Sequence, residues 1–229
     1  MKILIVAATH FEVLPIVEKL KTQFKEESNF YFKKEQDEVR ILVTGVGIMH
    51  TAFAMGNLLA VYRPDFAINA GIAGAFNRTL DIGDVLHVSS ELHGDFGVEE
   101  NTGVFTDVFE MGLLDNNTFP YINAKLYNSG ISGFDFLQEV RGLTVNKVHG
   151  FQENIDKVME KYQPDVESME GAAFFYSCLQ LSIPFVEIRA ISNYVEPRNK
   201  ANWNIPLAID NLNKTVFEII ETLTEQKND

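Results

Sequence analysis

Cysteine occurs once in the 229 residues, at Cys178. A single thiol excludes an internal disulfide framework and a cysteine-rich zinc site. Long apolar runs are missing as well. The first one, Ile3–Ala8, is too short for a signal-peptide core with its flanks, and no later run reaches membrane length. Positive charge is scarce: 19 Lys and Arg stand against 32 Asp and Glu, a formal net charge of −13. That deficit argues against a nucleic-acid backbone or an anionic membrane surface as the main partner, because both need clustered Lys and Arg. It does not exclude a small nucleoside without phosphates. No repeat, low-complexity tract, linker or Walker-type GKS/GKT sequence is present.

What the chain does have is enough apolar material for a sizeable core. Hydrophobic residues make up 46% and charged residues 22%, and the length favours one domain spanning residues 1–229. The composition reads as a cytoplasmic protein. Buried strands are expected at Ile3–Ala8, Val39–Thr44, Phe66–Ala70, Val85–Ser89 and Phe185–Ser192, with a sixth at Leu143–Val148. Helices are expected at Phe11–Lys21, Ile48–Val61, Val166–Leu181 and Pro206–Glu225. Strands alternating with helices predict an α/β layered fold. Residues 93–136 break the pattern, mixing Gly and Asn with many aromatics. They read equally as a lid, a pocket wall or oligomer contact, or as an irregular excursion anchored by its rings.

Open α/β sheets bind ligands beyond the carboxyl ends of their strands. At those ends lie Thr9-His10-Phe11-Glu12, Gly45-Val46-Gly47, Gly71-Ile72-Ala73-Gly74 and Asn193-Tyr194-Val195-Glu196-Pro197-Arg198. Their convergence on one edge predicts a site there. Gly45-Val46-Gly47 opens like a dinucleotide fingerprint but lacks the third glycine. With no Lys or Arg beside it, the turn suits a neutral hydroxylated ligand better than a phosphate. Glu170, at the start of an apolar helix, serves as a cap or faces a polar ligand. A carboxylate accepts two hydrogen bonds side by side, which fits a vicinal diol. Glu187 and Arg189 share a strand face and read as a structural ion pair or as partners of other buried charges. His87 and His93 have no ligand companions and read as structural residues. Cys178 reads as inert packing. No metal and no cofactor are expected.

Taken together, the first strand with Glu12, the Thr44–Ile48 turn, Asn69–Gly74, Val166–Ala172 and Ile188–Ser192 resemble the nucleoside phosphorylase and nucleosidase superfamily, from Met1 to about Leu212. Within it, Glu167–Phe174 and Ile191–Arg198 are most similar to the futalosine hydrolases. The resemblance implies a three-layer α/β/α fold with a mixed central sheet and assembly as a homo-oligomer, a dimer or larger. It implies hydrolysis of futalosine to hypoxanthine and dehypoxanthine futalosine, in menaquinone biosynthesis.

It also implies roles. Glu12 matches the carboxylate that activates water. Glu170, Met169 and Gly47 match the ribose site. Ile72, Gly74 and Phe151 match the base site; the base-stacking segment falls near Val148–Phe151, with Phe151 as the candidate. Asn193 stands where adenine-specific nucleosidases carry an aspartate acid. An amide cannot be that acid, but it can accept from N7–H and donate to O6, which suits a 6-oxopurine. Arg198 and Lys200 are candidates for a remote substrate carboxylate. The alternatives are a phosphorylase, a methylthioadenosine-type nucleosidase, or a non-catalytic nucleoside-binding module.

Overall fold

The computed structural model describes residues 1–128, 134 and 136–225. Residues Ile3 to Ala7 are at most 1% exposed. They form β1 (Lys2–Ala7), which has a parallel neighbour on each edge: β4 (Asp37–Val43) and β5 (Phe66–Ala75). Side chains of a strand alternate between faces, and both faces are covered. Ile3 and Ile5 pack against α1 (His10–Gln23) and α5 (Ile205–Glu225), through Val13, Ile16, Leu212 and Val216. Leu4 and Val6 share the opposite cluster with Met55 of α2 (Ile48–Leu59) and Phe174 and Phe175 of α4 (Gly171–Gln180). The result is a three-layer α/β/α arrangement.

The sheet has ten strands. Those not yet named are β2 (Lys25–Ser28), β3 (Tyr31–Lys34), β6 (Val85–His93), β9 (Leu126–Tyr127), β10 (Gln138–Thr144), β11 (Val166–Ser168) and β12 (Phe185–Tyr194). Their order is β11-β10-β6-β12-β5-β1-β4-β3-β2, with β9 on β6. Pairing is mixed: β12 runs parallel to β5 but antiparallel to β6. A further pairing of β11 with β5 closes β5, β12, β6, β10 and β11 into a ring. The helix α3 (Gln152–Lys161) packs Ile155 and Val158 on that ring, against Leu143 and Val145.

Three expectations need correction. Val166–Ser168 is a strand, not the first turn of a helix, because it is held between β10 and β5 in a buried ladder. The helix begins at Gly171, with Glu170 as its N-cap. The strand β5 runs to Ala75, so Gly71–Gly74 is strand rather than turn, paired with β12 up to Tyr194. The sixth strand is Gln138–Thr144, displaced towards the N-terminus from Leu143–Val148. Within 93–136, a hairpin of β7 (Gly97–Glu99) and β8 (Phe105–Asp107) and the strand β9 are held by rings, Tyr121 on Phe109 and on Tyr176. This is the anchored excursion; its residues 129–133 and 135 lie outside the described residues.

Candidate active site

The ends of β1, β4, β5, β11 and β12 surround a cavity of about 360 Å³. Thr9, Phe11 and Glu12 come from the start of α1, Val46 from the turn after β4, Ile72 to Gly74 from β5, and Ser192 and Asn193 from β12. Glu167 to Glu170, Val148, Trp203 and Ile205 complete the wall. The strand ends singled out in the sequence therefore meet. A separate cavity of about 190 Å³ beside α3 holds none of the predicted site residues. Its Lys157 and Lys161 are already paired with Glu153 and Glu110.

Glu12 is buried against the cavity. Its Oε2 accepts from the Thr9 N–H and hydroxyl, each at 2.9 Å, in a capping box that starts α1. Its Oε1 accepts from the Ile72 N–H at 3.2 Å. Burial pushes its pKa above the ordinary glutamate value, and Glu170 adds to the rise. Arg189 and the Thr9 bond oppose it. A carboxylate so placed is a better base than one in water. The carboxylate that caps α1 is thus also part of the cavity wall.

Glu170 accepts from the Gly47 N–H at 2.9 Å. Gly47 sits at φ +96°, a region that side-chain-bearing residues rarely adopt. The amide that could have cradled an anion is thus turned onto a carboxylate. The other oxygen of Glu170 lies 3.8 Å from Arg189 Nη2. Arg189 is 1% exposed, and its Nε donates to Glu187 at 2.7 Å, which realises the expected ion pair. Burial opposes its charge, but Glu187, Glu170 and Glu12 outweigh that and keep it ionised. The sequence placed Arg189 in a structural pair or against other buried charges, and Glu170 is such a charge. Arg189 stands in register with Gly71, whose missing side chain leaves room for the guanidinium.

The register between β12 and β5 shifts between Ile191 and Asn193, so Ser192 is an extra residue. Such a bulge re-aims the side chains beside it. The Asn193 Oδ1 accepts from the Ser192 hydroxyl at 2.8 Å, and its Nδ2 donates to the Tyr194 carbonyl at 2.9 Å. A carbonyl can only accept, which fixes the amide orientation. One N–H and one lone pair remain for a ligand. Nearby, the Ser168 hydroxyl is buried with no hydrogen-bond partner among the described residues.

Other predicted residues scatter. Met169, Ile72 and Gly74 line the cavity, and Gly47 touches it through Glu170. Phe151 caps α3, is 62% exposed and lies outside the lining, where Val148 stands instead. Arg198 and Lys200 are also outside it; Arg198 stacks 5.1 Å from the Trp203 ring, which is inside. His87 packs edge-on to Phe134 and His93 bonds to Tyr121. Burial lowers the His93 pKa to about 4. Cys178 is buried in the core, where its thiol pKa is pushed up. Trp203, Ile205, Ser168 and His149 were missed; Trp203 is the chain's one tryptophan and sits just past the last strand's polar turn.

The family description "Phosphorylase superfamily" matches residues 2–224. The chain belongs to the phosphorylase superfamily. Within the superfamily it is 29% identical over 209 residues to a 5′-methylthioadenosine/S-adenosylhomocysteine nucleosidase of Colwellia psychrerythraea, covering 84% of each chain. It is also 29% identical over 183 residues to the futalosine hydrolase of Thermus thermophilus, covering 78% of this chain and 80% of that one. The solved futalosine hydrolase of Helicobacter pylori superposes with a TM-score of 0.78 at 16% identity, over 97% of this chain and 98% of that one. The 5′-methylthioadenosine/S-adenosylhomocysteine nucleosidase of Neisseria meningitidis, in complex with methylthio-immucillin-A, gives 0.76 at 21%, over 96% and 98%. These superpositions establish the three-layer superfamily fold. Among the described residues no helix is long and apolar enough to cross a membrane.

Proposed function

We propose that the protein hydrolyses the N-glycosidic bond of futalosine, releasing hypoxanthine and dehypoxanthine futalosine in menaquinone biosynthesis. One observation carries this reading: Glu12, Glu170 and an oriented amide, Asn193, line one cavity. Breaking the bond makes an oxocarbenium-like sugar and a purine that gains negative charge. Glu12 takes a proton from the attacking water. Glu170 binds the ribose hydroxyls, with Met169 packed on the sugar, and both carboxylates favour the positive charge. Asn193 donates to O6 and accepts from N7–H once the leaving base has taken a proton there from solvent, stabilising it without transferring a proton of its own. The Thermus thermophilus relative, a futalosine hydrolase by name, supports the substrate. Arg198, stacked on Trp203, is the candidate partner of the remote carboxylate.

Phosphorolysis is disfavoured. The Gly47 N–H is already taken by Glu170, and Ile48 and Met49 beside it bring no charge for phosphate. A methylthioadenosine-type nucleosidase is the second reading. It is favoured by the apolar walls Phe11, Val46, Trp203 and Ile205, with no Lys or Arg in the lining among the described residues, and by the Colwellia psychrerythraea relative. Assembly as a homo-oligomer is supported by the exposed apolar face of α2, where Met49 and Phe53, one turn apart, are 72% and 76% exposed.

The test is incubation with futalosine, inosine, methylthioadenosine and aminodeoxyfutalosine, with and without phosphate, with the free base measured by chromatography. Hypoxanthine from futalosine at a phosphate-independent rate is expected. Faster adenine release from methylthioadenosine moves the assignment to the second reading.

A further inference from the structure

Glu170 stands at the N-cap of α4, yet its side chain makes no capping hydrogen bond to that helix. An N-cap side chain ordinarily accepts from the second or third amide of its helix. Here the carboxylate is engaged elsewhere. Its Oε1 accepts from the Gly47 N–H at 2.9 Å, and its Oε2 lies 3.8 Å from Arg189 Nη2. The second residue of α4, Ala172, is 0% exposed. Its amide therefore needs an acceptor inside the protein.

That acceptor comes from another strand. Thr144 ends β10 and is 0% exposed. Its Oγ1 accepts from the Ala172 N–H at 2.7 Å and donates to Glu91 Oε2, also at 2.7 Å. A hydroxyl has one hydrogen. With that hydrogen committed to Glu91, a lone pair is left for the amide. Two elements make room for the arrangement. An ideal Cβ on Gly142 of β10, or on Gly171 of α4, would stand 2.2 Å from Glu91 Oε1. A side chain at either glycine would displace the carboxyl that orients the hydroxyl. Thr144 and Glu91 are both absent from the cavity lining, whereas Glu170 is part of it.

We infer that Thr144 is a positioning residue: by capping α4 from β10 it leaves the Glu170 carboxylate to the ribose. The inference rests on the nucleosidase reading above, in which Glu170 binds the ribose hydroxyls. Capping its own helix and binding the sugar are competing uses of one side chain. A negative charge is attracted to a helix N-terminus in any case. Without the Thr144 hydroxyl, the Ala172 N–H loses its acceptor, and the carboxylate at the N-cap is the group placed to replace it. Glu170 then turns from Gly47 and the sugar onto α4.

The experiment measures kcat and KM for the nucleoside that the wild type cleaves fastest and for its 2′-deoxy analogue, in wild type, Thr144→Val and Thr144→Ser. The wild type is expected to favour the ribonucleoside by about 10-fold or more, the scale of one polar contact. Thr144→Val keeps the shape and deletes the hydroxyl. It is expected to lose most of that preference, chiefly through a higher KM for the ribonucleoside. Thr144→Ser keeps the hydroxyl and is expected to keep the preference. A cap that served folding alone would lower the unfolding free energy of Thr144→Val and leave its preference at the wild-type value, and that result overturns the positioning role. Loss of the preference in Thr144→Ser overturns it as well, whether or not Thr144→Val folds. A wild type that cleaves both substrates equally overturns the ribose role of Glu170, and this inference with it. Absence of base release from every nucleoside by the wild type overturns the nucleosidase reading itself.

Discussion

Asn213 of α5 bridges the two ends of a single rung of α1: its Nδ2 donates to the Glu12 carbonyl at 2.8 Å, and its Oδ1 accepts from the Ile16 N–H at 3.0 Å. Those two groups are partners in a regular helix. Pro15 stands between them and crowds that turn. The backbone that carries the Glu12 carboxylate is therefore tied to a second helix. Asn213→Leu keeps the volume and deletes the bridge. It is expected to cost about 1–3 kcal/mol for each group left unpaired, read by urea unfolding. It should also lower kcat more than it raises KM, because Glu12 moves. Unaltered kinetics would show that the bridge serves the helices alone.

The fit of Arg189 into the gap at Gly71 makes a second prediction. An ideal Cβ on Gly71 would stand 1.9 Å from Arg189 Nη1. Gly71→Ala must displace a buried guanidinium from its carboxylates, which costs on the order of 3–5 kcal/mol if the charge is left unpaired. A drop of that size in unfolding free energy, with loss of most turnover, is expected. A variant as stable and active as the wild type would mean that Arg189 can be rearranged freely.

With Glu12 as the proposed base, its raised pKa is expected to set the pH dependence of turnover. The base works ionised, so activity falls as pH drops through its pKa. Burial places that acid limb above the ordinary glutamate value of 4.5. Glu12→Gln should remove the base and lower kcat by about 10²–10⁴ while substrate still binds. Wild-type turnover in Glu12→Gln, or a limb below 4.5, would sink the assignment.

Much of the architecture was legible because a buried strand writes a run of Ile, Val and Leu, as at Ile3–Ala7. Glu12 and Asn193 were singled out because the sequence sets them at strand ends, and Glu170 because it opens an apolar helix; all three line one cavity. What could not be read depends on partners distant in sequence. Val166–Ser168 looks helical beside the apolar run of α4, and only its two ladders make it a strand. The bulge at Ser192 and the ring closure through β11 have no local signature, yet they bring Glu167 opposite Asn193. Phe151 was chosen as an aromatic near the right place. The chain turns so that Val148 faces the cavity and Phe151 faces solvent.

Phe53 is expected to be covered by a second copy. Its ring is 76% exposed on the face of α2 that also carries Met49. Light scattering after gel filtration should give a dimer or larger for the wild type. Phe53→Glu puts a charge into that contact and should shift the mass towards one chain. A monomeric wild type would remove this role for α2.

Glu91 and Glu187 are neighbouring carboxyls, 1% and 0% exposed. An ideal Cβ on Gly171 would lie 2.2 Å from one Glu91 oxygen and 2.8 Å from one of Glu187, so only a glycine leaves both carboxyls room. Burial first, and then repulsion by Glu187, push the Glu91 pKa well above 4.5, against the Thr144 hydroxyl bond and Arg189. The folded chain therefore holds a proton that the unfolded chain releases near the ordinary value. Stability bound to this proton is full below pH 4.5 and is lost as pH rises towards the folded pKa. The slope approaches about 1.4 kcal/mol per pH unit for one proton. Glu91→Gln is neutral throughout and can still accept from Thr144. Unfolding free energies measured from pH 5 to 8 should thus fall for the wild type relative to Glu91→Gln, with the gap widening as pH rises. Parallel curves would mean that Glu91 carries no extra proton in the folded state.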